Sequence, residues 1–563
     1  MTAPLERIIF TETNNTKVGK TFNNPLVSAY IGYFKRGQAF KPMYVVDEPD
    51  LVQKLGLPVP TGTETNQVDF YTVLDCLKYV APVLVIRSLK VSSARNSTAF
   101  VTSAAVNAGS SSNYVKRLND DITPTIYNAS AYAYETVLYC AYPAVDGDSF
   151  KVALHTTPGT ASGFGKTFGE IFNGVTLGAN EMYLVIGTGS TTILEKFIVS
   201  KNVNGKDELG NSIYIDEVLK RSNYIRSKSN PSGAGIIAPF SFAATALAGG
   251  NSEPADQVAD LATIVSTGLD QLLNKEKFNL HLFIDSYSNV IGLKAKIIDL
   301  CGKRGDSAAI VSPPISAAIL ADNMHTSGDL STYYNAWIAS VDGAIASSAY
   351  GSFCASFCNF KIQRDKYNDV YFVNSYAGEV AGSIMASNAV RGVQEAVAGV
   401  TNGQVLSDSP TIKTWSADDR IVFAKDRINP IIMMQQFSDF PIIYDYLTML
   451  NEESILNKLH ARLIVNKVKK FAWALAKLSL IFNKSSSKVQ QTFYDKVEKF
   501  MFDMKVDGAV KDYLIQNTTT GTDLENDSVR YTVGMQIPGL IRIIYIDLIA
   551  VGETVDLNER LAG

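Results

Sequence analysis

Val27-Ser-Ala-Tyr-Ile-Gly-Tyr-Phe34 reads as a strand, and Pro82-Val-Leu-Val-Ile-Arg-Ser-Leu89 reads as a second, buried one. Between them, Asp50-Leu-Val-Gln-Lys-Leu-Gly56 has the look of a short helix closed by glycine, and Phe70 to Tyr79 that of a longer helix. Two apolar strands with helices between them make an α/β unit, here residues 26–92. The pattern returns further on. Leu280-His-Leu-Phe-Ile-Asp285 is expected as a strand, Ala295 to Gly302 as a helix and Ala308-Ala-Ile-Val-Ser-Pro-Pro314 as a strand, within an α/β segment spanning 276–380.

The region between these units has a different texture. Residues 93–130 are small and polar, with Ser110-Ser-Ser-Asn113, and read as loop-rich. Short strands follow at Ala131–Ala141, Phe150–Thr156, Met182–Gly187, Ile193–Ser200 and Ile213–Leu219, so residues 93–275 are expected as a β-rich insertion. Residues 381–537 carry the clearest helix, from Glu452 to Lys484, where Val468, Phe471, Leu475, Leu478 and Phe482 recur at helical spacing. A second helix is expected from Ser487 to Met504. Between Asn457 and Tyr494 stand Lys458, Arg462, Lys467, Lys469, Lys470, Lys477, Lys484 and Lys488 with no acidic residue. That asymmetry suits either a solvated face or a docking surface for an acidic partner.

Both ends read as strands without local partners. Residues 1–25 form an N-terminal arm around Arg7, Ile8, Ile9 and Phe10, and residues 538–563 a C-terminal strand and arm around Ile543, Ile544, Tyr545, Ile546 and Leu548. An unpartnered strand either closes the chain's own sheet or pairs with another chain.

The chain has 563 residues, with 51 Lys+Arg against 55 Asp+Glu, a net charge of −4 that argues against a nucleic-acid binder. Four histidines (His155, His281, His325, His460) leave little for acid–base or zinc chemistry, and no cofactor or metal is expected. Five sparse cysteines give no disulfide framework and point to a reducing compartment. Cys354 and Cys358 read as buried side chains on one side of a helix. The opening residues lack an apolar signal segment, and the longest apolar run, Pro538–Val551, carries Arg542 and Asp547 and falls short of the ~20 residues of a membrane span. Gly163-Phe-Gly165-Lys166-Thr167 approaches a phosphate loop, but Thr160 stands where the first glycine belongs. Asp146-Gly-Asp148 and Asp418-Asp419 lack the ligand number of a calcium loop, and Arg304-Gly-Asp306 is a chance tripeptide. An enzyme is not expected.

An ordered set of segments resembles the tail sheath proteins of contractile-tailed bacteriophages: Ile31-Gly-Tyr-Phe-Lys-Arg-Gly37 through Pro42, Asp50–Pro58, Tyr79–Arg87, Ile193–Ser200, Gly210–Ile215, Ser222–Ile225, Lys303–Asp306, Gly378–Gly382, Arg391–Val393, Arg427–Asn429, Leu459–Leu463, Gly508–Val510 and Asp512-Tyr513. Gln38 stands where proline is common, and Ala398-Gly399 replaces the usual Pro-Ala-Asn. The resemblance implies a multidomain mixed α/β fold: a sheath-type C-terminal core, a β-rich inserted outer domain and two extended arms. It implies a structural subunit that polymerises around a tail tube and contracts to drive the tube through the host envelope for genome delivery. Its partners would be further copies of itself in stacked rings, the tube protein, and baseplate and terminator proteins, with no nucleic acid and no membrane insertion. Its place would be the virion, after assembly in the host cytoplasm. The arms would add strands to neighbouring subunits, and Lys458, Arg462, Lys469 and Lys470 would face the tube. A sheath from a phage-derived bacteriocin or injection particle reads the same way, and a nucleotide-binding enzyme built on Gly163–Thr167 is the alternative from another class.

Overall fold

A computed structural model describes residues 27–540, apart from 63–64, 103–104, 231–238, 256–258, 287–290, 314–348, 408, 413, 481–486 and 526–527. The chain divides into a larger unit that ends at Phe471 and a smaller one that begins at Ala472. The expected N-terminal arm, and the C-terminal one apart from residues 538–540, lie outside the described residues.

The larger unit begins with β1 (Val27–Gly32), β2 (Met43–Val45), α1 (Glu48–Leu55), α2 (Gln67–Leu77) and β3 (Val83–Arg87). Local chemistry sets α1. The Asp47 side chain caps its start by accepting from Asp50 N, and Gly56, at φ 87°, ends it in a conformation that costs other residues more. After an insertion come β14 (Leu280–Ile284), α3 (Ile291–Arg304), β15 (Ala308–Val311), β16 (Cys354–Cys358), the hairpin β17 (Phe360–Asp365) and β18 (Val370–Ser375), α4 (Ala377–Val390), α5 (Ala417–Lys425), β19 (Ile428–Ile432) and β20 (Ile442–Ile443). Helix α6 (Leu459–Ser479) follows.

Eight strands form the central sheet in the order β2-β3-β1-β14-β15-β16-β19-β20. The six inner strands are parallel, and β2 and β20 pair antiparallel at the two edges. Every residue of β1, β3, β14, β15, β16 and β19 is buried, which is why these strands read as continuous apolar runs. Cys354 and Cys358 lie on β16, not on a helix as their spacing led us to expect. Positions four apart share a face of a strand as well as of a helix, so spacing alone does not separate the two.

The insertion between β3 and β14 holds two four-stranded antiparallel sheets. One is β11 (Thr192–Ser200), β10 (Glu181–Thr188), β9 (Phe150–His155) and β13 (Phe242–Ala246); the other is β12 (Ile225–Ser229), β8 (Thr136–Cys140), β4 (Thr98–Val101) and β5 (Val106–Ala108). Leu138, Leu154, Leu184 and Ile225 pack in one core between them. A hairpin of β6 (Asn113–Lys116) and β7 (Thr125–Asn128) lies beside β4. Four strands thus occur between 93 and 130, where a loop was expected. Of these, β4 is buried throughout, and just before it Asn96 Nδ2 donates to the main-chain oxygen of Cys140 at 2.8 Å.

The expected strand Ile213–Leu219 is instead a helical turn, Ile215–Val218, running into a 3₁₀ turn at Leu219–Arg221. Ile213 and Ile215 alternate like a strand, but Ile215, Val218 and Leu219 are buried with helical spacing. The Asp216 carboxylate accepts from Ser227 Oγ at 2.7 Å and Ser229 N at 2.9 Å, fixing this turn to β12.

In the smaller unit, α7 (Ser487–Val506) buries Phe493, Val497, Phe500, Met501 and Met504. A hairpin of β21 (Asp512–Asn517) and β22 (Tyr531–Gln536) packs on α7 through the Phe493 and Tyr531 rings, 4.9 Å apart.

Candidate assembly surfaces

The β21–β22 hairpin pairs in strict antiparallel register from Asp512 opposite Gln536 to Asn517 opposite Tyr531. Tyr513, Ile515, Tyr531, Val533 and Met535 are on its sheltered face, whereas Leu514 is 59% exposed. Among the described residues no third strand joins it. Two strands alone are marginal in water, so α7 supports one face while both edges keep main-chain donors and acceptors directed outward. The arm residues Arg7, Ile8, Ile9, Phe10, Ile543, Ile544, Tyr545, Ile546 and Leu548 lie outside the described residues.

Helix α6 does not present its four expected cations as one open stripe. Arg462 is buried: its guanidinium carbon stands 4.0 Å over the Phe353 ring, and it donates to Ser352 Oγ. Burial pushes the Arg462 guanidinium down to about 10. Lys470 donates to Asn279 Oδ1 at 3.1 Å and Leu280 O at 2.6 Å, and burial pushes it down to about 8. Lys458 is half-buried and Lys469 is exposed. With Asn466, the inward residues fall at 462, 466 and 470, a helical stripe facing the protein. In the smaller unit, the last turns of α6 expose Leu478 and hold Lys477 Nζ 5.1 Å from the Trp473 ring. Leu478, expected on the apolar face with Val468 and Leu475, is 72% exposed.

The segments considered for other chemistry are occupied structurally. Thr167 caps the one-turn helix Phe168–Ile171 in a capping box with Glu170, whose carboxylate accepts from Thr167 N at 2.7 Å. An anion therefore already occupies the position a phosphate would need. Asp146 pairs with Lys35 at 3.0 Å, Asp148 accepts from Gly250 N, and Asp419 caps α5. Arg304 is buried, bonded to Asp306 and to the carbonyls of Leu272 and Phe278, so this tripeptide presents no exposed recognition loop. Asn388 Nδ2 donates to His281 Nε2 at 2.7 Å, and burial, reinforced by Lys470 and Lys467, pushes the imidazole down to about 3. Among the described residues, no cluster of His, Cys, Asp and Glu is placed to hold a metal, and no helix is long and apolar enough to cross a membrane. A cavity of about 230 Å³ is lined by Phe40, Val91, Leu118, Ile122, Thr263, Thr267 and the Lys41–Asp121 ion pair.

Sequence reasoning missed a buried ionic centre that joins α2, β17 and α4. Lys361 Nζ lies 2.6 Å from both Asp75 Oδ2 and Glu379 Oε1, and all three side chains are fully buried. Lys78 pairs with Asp75 at 2.8 Å from a partly exposed position, and Gln363 Nε2 donates to Asp75 Oδ1 at 2.9 Å. Burial holds the Glu379 carboxyl above its ordinary value despite Lys361; burial would also raise Asp75, but Lys361 and Lys78 hold it low. Nothing in the sequence pairs these residues, since Asp75 and Lys361 stand 286 positions apart.

No family model matches the chain. In sequence it is similar to the tail sheath protein of Vibrio phage KVP40, 24% identical over 474 residues that cover 80% of this chain and 66% of that protein. It is also similar to the tail sheath protein of Enterobacteria phage T4, 24% identical over 403 residues covering 68% of this chain and 58% of that one. The matches thus span just under two thirds of the length of one relative and less of the other. In fold it is similar to the sheath tail protein Lin1278 from Listeria innocua, with TM-score 0.53 and 11% identity over 92% of this chain and 96% of that one.

Proposed function

We propose that this chain, related in sequence to phage tail sheath proteins, is itself a structural sheath subunit and not an enzyme. It polymerises into a contractile helical sheath around a tail tube and, on contraction, drives the tube through the host envelope for genome delivery. The observation that carries this reading is the similarity over 80% of the chain to a tail sheath protein, together with a sheath-type fold over 92% of it.

The physical route runs through the hairpin edges. Strand segments in the arms, Arg7 to Phe10 and Ile543 to Leu548, add to β21–β22 of neighbouring copies, each main-chain hydrogen bond contributing about 0.5–1.5 kcal/mol net. Tethered this way, subunits rotate and slide without separating. The extended lattice is the kinetically trapped packing, so contraction draws on interface energy stored at assembly and needs no nucleotide. Of the four basic candidates, Lys458 and Lys469 would meet an acidic tube surface on this reading, while Arg462 and Lys470 serve their own unit. The remaining partners on this reading are the baseplate and terminator proteins, and the assembled protein belongs to the virion.

Negative-stain microscopy of the purified protein tests the proposal. Striated tubes support it; isolated particles under all conditions, including with the tube protein present, count against it.

A further inference from the structure

The outward face of the β6–β7 hairpin carries two tyrosines, a lysine and a threonine. Tyr114 and Tyr127 are cross-strand partners whose rings stack at 4.5 Å and 15°. Arg95 covers the other side of Tyr114, its guanidinium carbon 5.7 Å from the ring centre. The Tyr114 ring is therefore enclosed on both faces, and Tyr127, 40% exposed, keeps one ring face open. Lys116 and Thr125, paired in the same register, lie on this outward face. The inward side is spent on packing, with Val115 and Ile126 against Phe100, Val137 and Tyr139.

Two features mark the face as more than a hairpin-stabilising pair. Among the described residues, neither Arg95 nor Lys116 has a carboxylate partner or a side-chain hydrogen bond, and Arg95 Nε is buried without an acceptor. Asp120 and Asp121, close to Lys116 in sequence, are already engaged by Arg117 and Lys41. The main chain of Arg95 is anchored, exchanging two 2.9 Å hydrogen bonds with Asn251. An arginine whose Nε has no acceptor, a second cation without a carboxylate and one open aromatic face make a site that is electrostatically incomplete.

We propose that this face binds an acidic saccharide chain, with the Tyr127 ring against the apolar face of a sugar and Arg95 and Lys116 pairing with its carboxylates. A single ring face matches one pyranose. A nucleic acid strand calls instead for a track of cations and successive stacking rings, which two cations and one ring do not supply. An acidic peptide without aromatic or proline residues, such as oligo-glutamate, would use the cations and leave the ring idle. The inference does not depend on the sheath reading.

Calorimetric titration of the full chain tests it, with alginate oligosaccharide as probe and neutral dextran, oligo-glutamate and oligo-dT as comparisons. Alginate binds, dextran does not, and oligo-glutamate and oligo-dT bind more weakly. Tyr127→Ala weakens alginate about tenfold, Tyr127→Phe keeps it, and Lys116→Gln lowers both affinity and its salt dependence. Thermal unfolding of each variant, matched to the parent, separates a lost ligand contact from a lost fold, and Tyr127→Phe carries the test if Tyr127→Ala does not fold. No alginate binding, equal binding by a folded Tyr127→Ala, or equal binding of oligo-glutamate or oligo-dT overturns the proposal.

Discussion

Replacing Lys361 by methionine keeps most of the side-chain volume and removes the charge between Asp75 and Glu379. Two fully buried carboxylates then face each other with only the partly exposed Lys78 beside one of them. Breaking a buried pair by removing one partner costs about 3–5 kcal/mol. The protein has one escape, which bounds the cost: Glu379, already held high by burial, takes up a proton. Loading a carboxyl whose ordinary value is 4.5 at pH 7 costs 1.36 kcal/mol for each of 2.5 units, or about 3.4 kcal/mol. The pH dependence follows. The folded variant holds a proton that the unfolded chain has released above pH 4.5, so its stability falls as pH rises, by about 1.4 kcal/mol per unit. Urea unfolding of parent and variant at pH 5.5 and 7.5 should show the gap widening by nearly 3 kcal/mol. The double variant Lys361→Met with Glu379→Gln should remove most of that widening. A penalty that does not change with pH, or a double variant as pH-sensitive as the single one, refutes the electrostatic account and leaves lost packing as the cause.

Three further outcomes are expected. Asp69 is buried against Tyr30, which donates to it, and burial pushes its carboxyl up to about 7; the parent therefore loses stability as pH rises from about 4 to 7, and Asp69→Asn should gain on the parent over that span in paired melts. Arg462→Glu places an unpaired carboxylate in a buried site over Phe353 and should destabilise the monomer by several kcal/mol, whereas exposed Lys469→Glu should leave its melting unchanged within about 0.5 kcal/mol and weaken only tube-guided assembly, as scored by co-sedimentation. Deleting residues 1–20 should give folded protein that forms no tubes by microscopy; ordinary polymerisation of that truncation would sink the arm model.

Much of the fold was readable because its signals are local. The inner strands of a parallel sheet are apolar on both faces, so β1, β3, β14 and β15 show up as runs whatever surrounds them. Helix α1 carries its own start and stop in Asp47 and Gly56. Errors arose where two periods fit the same residues. Cys354 and Cys358 share a face of either element, and Ile213-Tyr-Ile215 alternates just before the buried spacing becomes helical. The short strands of 98–128 escaped notice because each is only three or four residues long, too short to show an alternating pattern against the polar residues around it.

The candidate surfaces divide along the same line. Sequence alone determined that α6 is a basic helix, because the sign of a charge belongs to the residue that carries it. Only tertiary structure decided which of those charges remain available: Phe353 and Ser352 stand opposite Arg462, and Asn279 and Leu280 opposite Lys470, contributed by segments more than a hundred positions away. The same holds for Asp75, Lys361 and Glu379, and for the Arg95 guanidinium over Tyr114. Composition sets which charges exist; whether each is buried, paired or left facing solvent depends on what long-range packing places against it.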